Sequence, residues 1–385
     1  MPFIGNQPTA VPLTSADLED NIITTAKIAD ANITNPKLSS GSQQNFRNII
    51  INGDMSIAQR GTSISGITGG NYYTVDRFRI NILSMGTWTM SQETDVPSGQ
   101  GFANSLKMDC TTADASPSAS DLLLLQTRFE GQNLQYLKKG TANAESLTLS
   151  LWVKSNKTGT YIAELYDEDN SRNISKSYTI NVADTWEKKT ITYAGDTTGT
   201  LDNDNNRSLY LNLWLCAGTD YTSGTLQTTW GTQTTANKVV GQVNLADSTS
   251  NYINITGVQL EAGTTASDFE FLPYDINKTR CERYFQRLSG FGAGGAGTNI
   301  QASVSFRTDM RASPSIGVLT TTGNGHLKFT DGASSFDPTS FSYTNQSTQT
   351  DGFFGLFGNY SGLTTGTQYR RAFDDGDFVK LDAEL

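Results

Sequence analysis

The chain has 385 residues, 36 glycines, 17% charged residues and a formal net charge of -10, a profile that suits many short strands joined by turns. The acidic balance excludes the long-range attraction that nucleic-acid binding exploits and opposes an anionic membrane surface. Apolar runs such as Leu122 to Leu125 fall far short of the roughly 20 residues of a spanning helix, so neither nucleic acid nor membrane insertion is expected.

The length exceeds one ordinary domain and predicts two compact units plus an extended segment. The opening Met1-Pro2-Phe3-Ile4 has no basic patch or apolar core of a secretory signal, so synthesis and maturation in a cytosol are expected. Cys110, Cys216 and Cys281 are odd in number and far apart, which argues against a disulfide framework and reads as small buried hydrophobes.

Residues 1–45 carry the clearest repeat. Leu18, Ile23, Ile28, Ile33 and Leu38 recur every fifth residue with polar residues between them. An α-helix would place apolar residues three and four apart, and Pro36 would interrupt it. One thin stripe per strand-sized unit cannot bury itself within a single chain, whereas three chains wound together hide it along a shared axis. The repeat therefore predicts a trimerising segment that also attaches to a larger assembly.

After the polar joint Ser39–Asn45, residues 46–275 alternate apolar and polar positions in short runs broken by Gly, Asn, Asp and Thr, the spacing of an antiparallel β-sandwich. In Leu147 to Lys154, the positions Leu147, Leu149, Leu151 and Val153 share one side, with Ser150 and Trp152 on the other. In Leu209 to Cys216, four leucines point one way and Tyr210, Asn212, Trp214 and Cys216 the other. The leucines predict the inter-sheet core, and the second face is expected to be aromatic and polar.

Residues 276–298 read as a connector, a brief helix followed by a glycine-rich hinge or loop containing Gly290, Gly292, Gly294, Gly295 and Gly297. Residues 299–385 read as a small C-terminal β knob. Its Phe353, Phe354, Leu356, Phe357 and Tyr360, spaced by glycines, suit core packing or packing around a threefold axis.

Catalytic chemistry finds little support. His326 is the only histidine, and no motif around it builds a triad or a two-histidine metal site. A polysaccharide-degrading tailspike needs only two carboxylates, but no rung repeat of a β-solenoid follows residue 45. Asp202-Asn203-Asp204-Asn205-Asn206 opens like a calcium loop, yet Arg207 stands where such a loop requires glycine, so an Asx-rich turn is expected. The expectation is a non-enzyme without cofactor or metal. The best site candidate is a glycan platform of Trp152, Tyr210 and Trp214, since sugars stack their C–H faces on flat rings while neighbouring amides and hydroxyls bond their oxygens.

Two pairs of motifs resemble a known family. Asn48-Ile49-Ile50-Ile51-Asn52-Gly53-Asp54-Met55 with Tyr73-Thr74-Val75-Asp76-Arg77-Phe78 resembles the opening of the central domain of phage tail-fibre-like proteins, especially marine ones. Gly257-Val258-Gln259-Leu260-Glu261-Ala262-Gly263 with Phe269-Glu270-Phe271-Leu272-Pro273-Tyr274 is similar to that domain's close. The pair of brackets is also similar to those of jelly-roll carbohydrate-binding modules. The resemblance implies a mainly β virion appendage with a jelly-roll sandwich, homotrimeric, attached to other tail or adaptor proteins through its N-terminal segment and reading a host surface glycan or receptor. A capsid or tail-hub decoration without a receptor role and a free secreted sugar-binding module are the alternatives it leaves.

Overall fold

The computed structural model describes residues 46–288, 292–320, 327–338, 340, 342–371 and 377–385. The chain divides into two compact units, 1–45 and 46–385. The stem residues Leu18, Ile23, Ile28, Ile33 and Leu38, together with His326, lie outside the described residues.

The larger unit is mainly β and antiparallel. Its first part contains β1 (Ser63–Ile67), β2 (Asn71–Tyr72), β3 (Arg79–Leu83), β4 (Thr87–Glu93), β5 (Ser105–Thr112), β6 (Leu122–Glu130), β7 (Leu147–Ser155), β8 (Gly159–Asp167), β9 (Arg172–Ile180), β10 (Glu187–Tyr193), β11 (Arg207–Ala217), the short helix α1 (Thr219–Thr222), β12 (Gly231–Thr232) and β13 (Tyr252–Ala262). They form two sheets, ordered β1-β4-β5-β13-β7-β10 and β12-β9-β8-β11-β6-β3-β2. Leaving out the two-residue β12, the strands from β5 to β13 number eight. Taken as first to eighth, they run first-eighth-third-sixth in one sheet and fifth-fourth-seventh-second in the other, which is the winding of a jelly roll.

The core lies between the sheets. Leu147, Leu149, Leu151 and Val153 of β7 meet Leu209, Leu211, Leu213 and Leu215 of β11 in one buried cluster with Trp88, Met90 and Met108. Each fully buried leucine contributes about 1.5–3 kcal/mol of apolar transfer. The alternation of β11 fails at its end. Trp214 opposes Leu124 but Cys216 opposes Leu123, a bulge that turns Cys216 into the core beside Leu215 rather than onto the aromatic face expected for it. All three cysteines are free and buried.

The rest of the unit holds α2 (Tyr274–Glu282), β14 (Phe285–Leu288), β15 (Gly292–Ala296), β16 (Asn299–Ser305), β17 (Ser315–Thr320), β18 (Phe329–Thr330), β19 (Ser335–Phe336), β20 (Tyr343–Thr348), β21 (Gly352–Phe357), β22 (Gln368–Arg371) and β23 (Asp377–Asp382). Again two sheets form, β14-β23-β17 and β19-β18-β22-β15-β16-β21-β20. The stretch expected as a connector thus carries α2 and two strands. The glycine run, expected as a hinge or loop, supplies β15, an inner strand paired to β16 and β22. Its glycines allow close approach rather than freedom, since a Cβ on Gly295 would lie 2.6 Å from the Thr364 carbonyl oxygen and 2.8 Å from the Tyr369 ring. Phe353, Phe357 and Tyr360 are buried within this one chain, with Phe329 centred 6.1 Å from Phe357 and 5.7 Å from Tyr360.

Buried polar groups weld the two parts of the unit together. Arg77 and Arg60 both pair with Glu384, and Arg283 holds Glu130 with hydrogen bonds of 2.8 and 2.7 Å. Asp76 accepts from the Gln59 amide nitrogen at 3.1 Å and side chain at 2.6 Å, and Gln59 Nε2 also donates to the Phe285 carbonyl at 2.8 Å. Asn277 of α2 accepts from the Asn52 backbone at 3.2 Å and donates to Asp54 and Ser56, each at 3.0 Å. The opening motif is therefore a structural joint.

Candidate functional site

β7 lies inside the first sheet between β13 and β10. With Leu151 and Val153 committed to the core, Trp152 projects from the outer face, half-buried. In register it stands opposite Lys188 of β10 and Thr256 of β13. Here β13 bulges between Thr256 and Gln259, and Gly257 enters the outer face with φ +60. A Cβ on Gly257 would meet Phe102 Cζ at 2.5 Å and Trp152 Cδ1 at 3.1 Å. The absence of a side chain is what lets both rings settle there.

Two loops raise the walls. Phe102 follows the turn glycines Gly99 and Gly101, both at positive φ, and packs against Phe269 and Phe271 with ring centroids at 5.0 and 5.1 Å. Phe269 and Phe271 are themselves 4.9 Å apart. Polar residues of the closing motif pin the loop that carries them. Gln259 accepts from the Glu270 backbone at 2.8 Å and donates to Ser267 Oγ at 3.1 Å, and Glu261 accepts from the Ser267 amide and hydroxyl at 2.9 and 2.6 Å. Glu270 in turn accepts from the Asn48 amide at 2.9 Å. The motif's alternation of Gln, Glu and aromatic residues thus fixes the wall of a site.

The result is a cleft of about 280 Å³ lined by Gly99, Gln100, Phe102, Ser150, Trp152, Lys188, Gly257, Asp268, Phe269 and Phe271. Its apolar surface is ring faces, with Phe271 about half exposed at 49%. Its polar groups, Gln100, Ser150, Lys188 and Asp268, supply both donors and acceptors. Two residues along β7 from Trp152, Lys154 donates to Asp95 at 2.7 Å, and Asp95 also accepts from Trp186 Nε1 at 3.0 Å. Burial would raise the Asp95 pKa, but these two hydrogen bonds hold the carboxyl below its usual range. Such a site can stack an apolar ring face while bonding hydroxyls around its edge.

The expected platform of Trp152, Tyr210 and Trp214 does not assemble. Trp152 belongs to one sheet and Tyr210 and Trp214 to the other, so their outward sides are the two opposite faces of the sandwich. Trp214, 2% exposed, lies in a satellite core of Leu124, Ile162 and Val239, beneath Tyr221 and Leu226. Its Nε1 donates to Glu164 at 2.8 Å. Tyr210 is buried, its ring tilted against Tyr166 with centroids 5.5 Å apart and its hydroxyl on Glu168. The excursion between β11 and β13 covers the Trp214 end of that face. Phe102, Gly257, Phe269, Phe271 and Lys188, absent from the expected site, complete the cleft around Trp152. The Asp202–Asn206 stretch makes turns, with Asn206 donating to Asp204 at 2.9 and 2.6 Å. Among the described residues no group of three His, Cys, Asp or Glu is placed to hold a metal ion.

No protein-family model and no curated protein matches this chain. Among solved structures it is similar to the enzymatically active domain of tailspike protein 4 of bacteriophage CBA120, at 13% identity and TM-score 0.30, over 56% of this chain and 21% of that one. It is also similar to the family 61 carbohydrate-binding module TmCBM61 in complex with β-1,4-galactotriose, at 11% identity and TM-score 0.29, over 56% and 99% of the two chains. The family 11 carbohydrate-binding module from Clostridium thermocellum is similar at 10% identity and TM-score 0.25, over 55% and 95%. At these scores the likenesses carry no argument about what this chain binds.

Proposed function

We propose that this chain is a structural component of a phage virion, a tail fibre or similar appendage, that attaches to host-surface glycan through the cleft around Trp152. The observation that carries the reading is the placement of Trp152 over Gly257, walled by Phe102, Phe269 and Phe271. Aromatic faces of this kind offer a sugar its apolar contact, and Lys188, Asp268, Gln100 and Ser150 offer the polar ones. The motif resemblance set out above supports the virion setting, with assembly in the host cytoplasm and action outside it.

The reading is of binding without turnover. Among the described residues Asp268 is the one carboxylate that lines the cleft, and glycoside hydrolysis takes a pair. The repeat of Leu18 to Leu38 supports a homotrimer whose N-terminal segments join other virion proteins. Three weak sites per fibre then combine through effective concentration. The experiment is a glycan array with the trimeric full chain beside Trp152→Ala. The reading predicts a defined set of bound glycans that the variant loses, and an array on which the two proteins behave alike overturns it.

A further inference from the structure

We infer that a second cavity, where the sandwich meets α2, binds a single sugar ring bearing a carboxylate, with Arg280 receiving the anion. This cavity measures about 300 Å³, the small end of ligand sites, with room for one ring rather than a chain. It lies apart from the Trp152 cleft and shares no lining residue with it.

Its charge is unusual for so acidic a chain. Four arginines and one glutamate line it, Arg77, Arg128, Arg280, Arg283 and Glu130. Three of the arginines are already held. Arg77 pairs with Glu384 and donates to the Arg128 carbonyl at 2.7 Å, Arg283 grips both oxygens of Glu130, and Arg128 donates to Gln126 at 2.6 Å and to the Leu385 carbonyl.

Arg280 has no such partner. Among the described residues its hydrogen bond is a 3.5 Å approach to the Asn48 carbonyl, and burial pulls its pKa down. Glu270 acts on it electrostatically without forming an ion pair among the described residues, and a charge taken partly out of water with no contacting counter-ion favours whatever anion can reach it. Arg77 Nε, on the same wall, is a buried donor with no acceptor. A carboxylate suits the planar guanidinium, which can grip both oxygens. Phe46 and Tyr136, 60% and 50% exposed, add ring faces to the lining. A hexuronate joins the two demands, a carboxylate on a ring with an apolar C–H side. Because the chain's net charge repels anions at long range, contact must set the affinity.

The test titrates the full chain with galacturonate, galactose and acetate, followed by calorimetry. Galacturonate should bind, with galactose and acetate each weaker by about tenfold or more, the worth of one charge-assisted contact. Arg280→Gln should weaken galacturonate by about tenfold, Tyr136→Ala should weaken it severalfold, and Trp152→Ala should leave it unchanged. Melting curves check that Arg280→Gln is folded. If it is not, Tyr136→Ala, at an exposed position, decides. Equal binding of galactose and galacturonate, wild-type affinity in a folded Arg280→Gln or in Tyr136→Ala, or loss through Trp152→Ala, would each overturn the inference. Since Trp152→Ala reports on the other cleft, failure here is distinguishable from failure of the glycan-attachment reading.

Discussion

Gly257 lies beneath Trp152, so close that a Cβ on the glycine would sit 3.1 Å from the indole Cδ1 and 2.5 Å from Phe102 Cζ. The backbone there has φ +60, a conformation that side chains other than glycine rarely take. Gly257→Ala is therefore expected to cost about 2 kcal/mol and to push both rings off the cleft. Chemical denaturation measures the first effect, and the indole emission of Trp152 against its environment reports the second.

Trp152 and Trp214 should separate cleanly. Trp214→Ala empties a satellite core and leaves Glu164 without the indole donor, an expected loss of about 3–5 kcal/mol. Trp152→Ala removes a half-buried side chain, for which about 1 kcal/mol is expected. Denaturant midpoints of the two variants, compared at equal slope, check the order.

The difference between those two tryptophans shows how far the sequence could be read. The alternation of Leu147 to Val153 and Leu209 to Leu215 was enough to find the strands, their buried sides and the two-sheet class. It could not say that β7 and β11 belong to opposite sheets, because that follows from pairings such as Trp214 with Leu124 and Trp152 with Thr256, made across long stretches of chain. Nor could periodicity reveal the bulge that turns Cys216 inward. The closing motif was visible as a motif. Its work, pinning Phe269 and Phe271 against Phe102 through Gln259 and Glu261, depends on a loop from residues 99–102 arriving at the same place. Glycine content predicted freedom at 292–296, where two neighbouring strands instead demand a backbone without side chains.

Glu384 joins the end of the unit to its beginning through Arg60 and Arg77, whose side chains are 6% and 2% exposed. Removing one member of a buried pair strands the other in low dielectric. Glu384→Ala should cost about 3–5 kcal/mol, and Glu384→Gln less, since the amide keeps its volume and an acceptor. Thermal unfolding of the two variants checks the ranking.

Asp76 gives the fold a pH signature. Burial pushes its pKa up to about 6 from 3.8, with Glu384 adding and Arg60 and Gln59 opposing. For an acid raised in the folded state, the stabilising contribution is full below the unfolded value and fades as pH rises through about 6. Between pH 7 and 5 it should therefore add on the order of 1 kcal/mol. Glu187 works the other way. Despite burial, Lys189 and the Asn181 and Val182 amides lower its pKa from 4.5 to about 2, so its contribution is full above the unfolded value and is lost as pH falls from there through about 2. Comparing wild type with Asp76→Asn from pH 7 to 5 isolates the first effect, and parallel curves would show that Asp76 does not titrate there.

The most direct test of the account is binding of host-surface glycan fragments to the full chain and to Trp152→Ala, measured by calorimetry with melting curves confirming that both are folded. The account predicts saturable binding by the wild type and loss of about tenfold or more in affinity in the variant, sugar–ring contacts of this size being worth on the order of 1–2 kcal/mol. Unchanged affinity in a folded Trp152→Ala would contradict it.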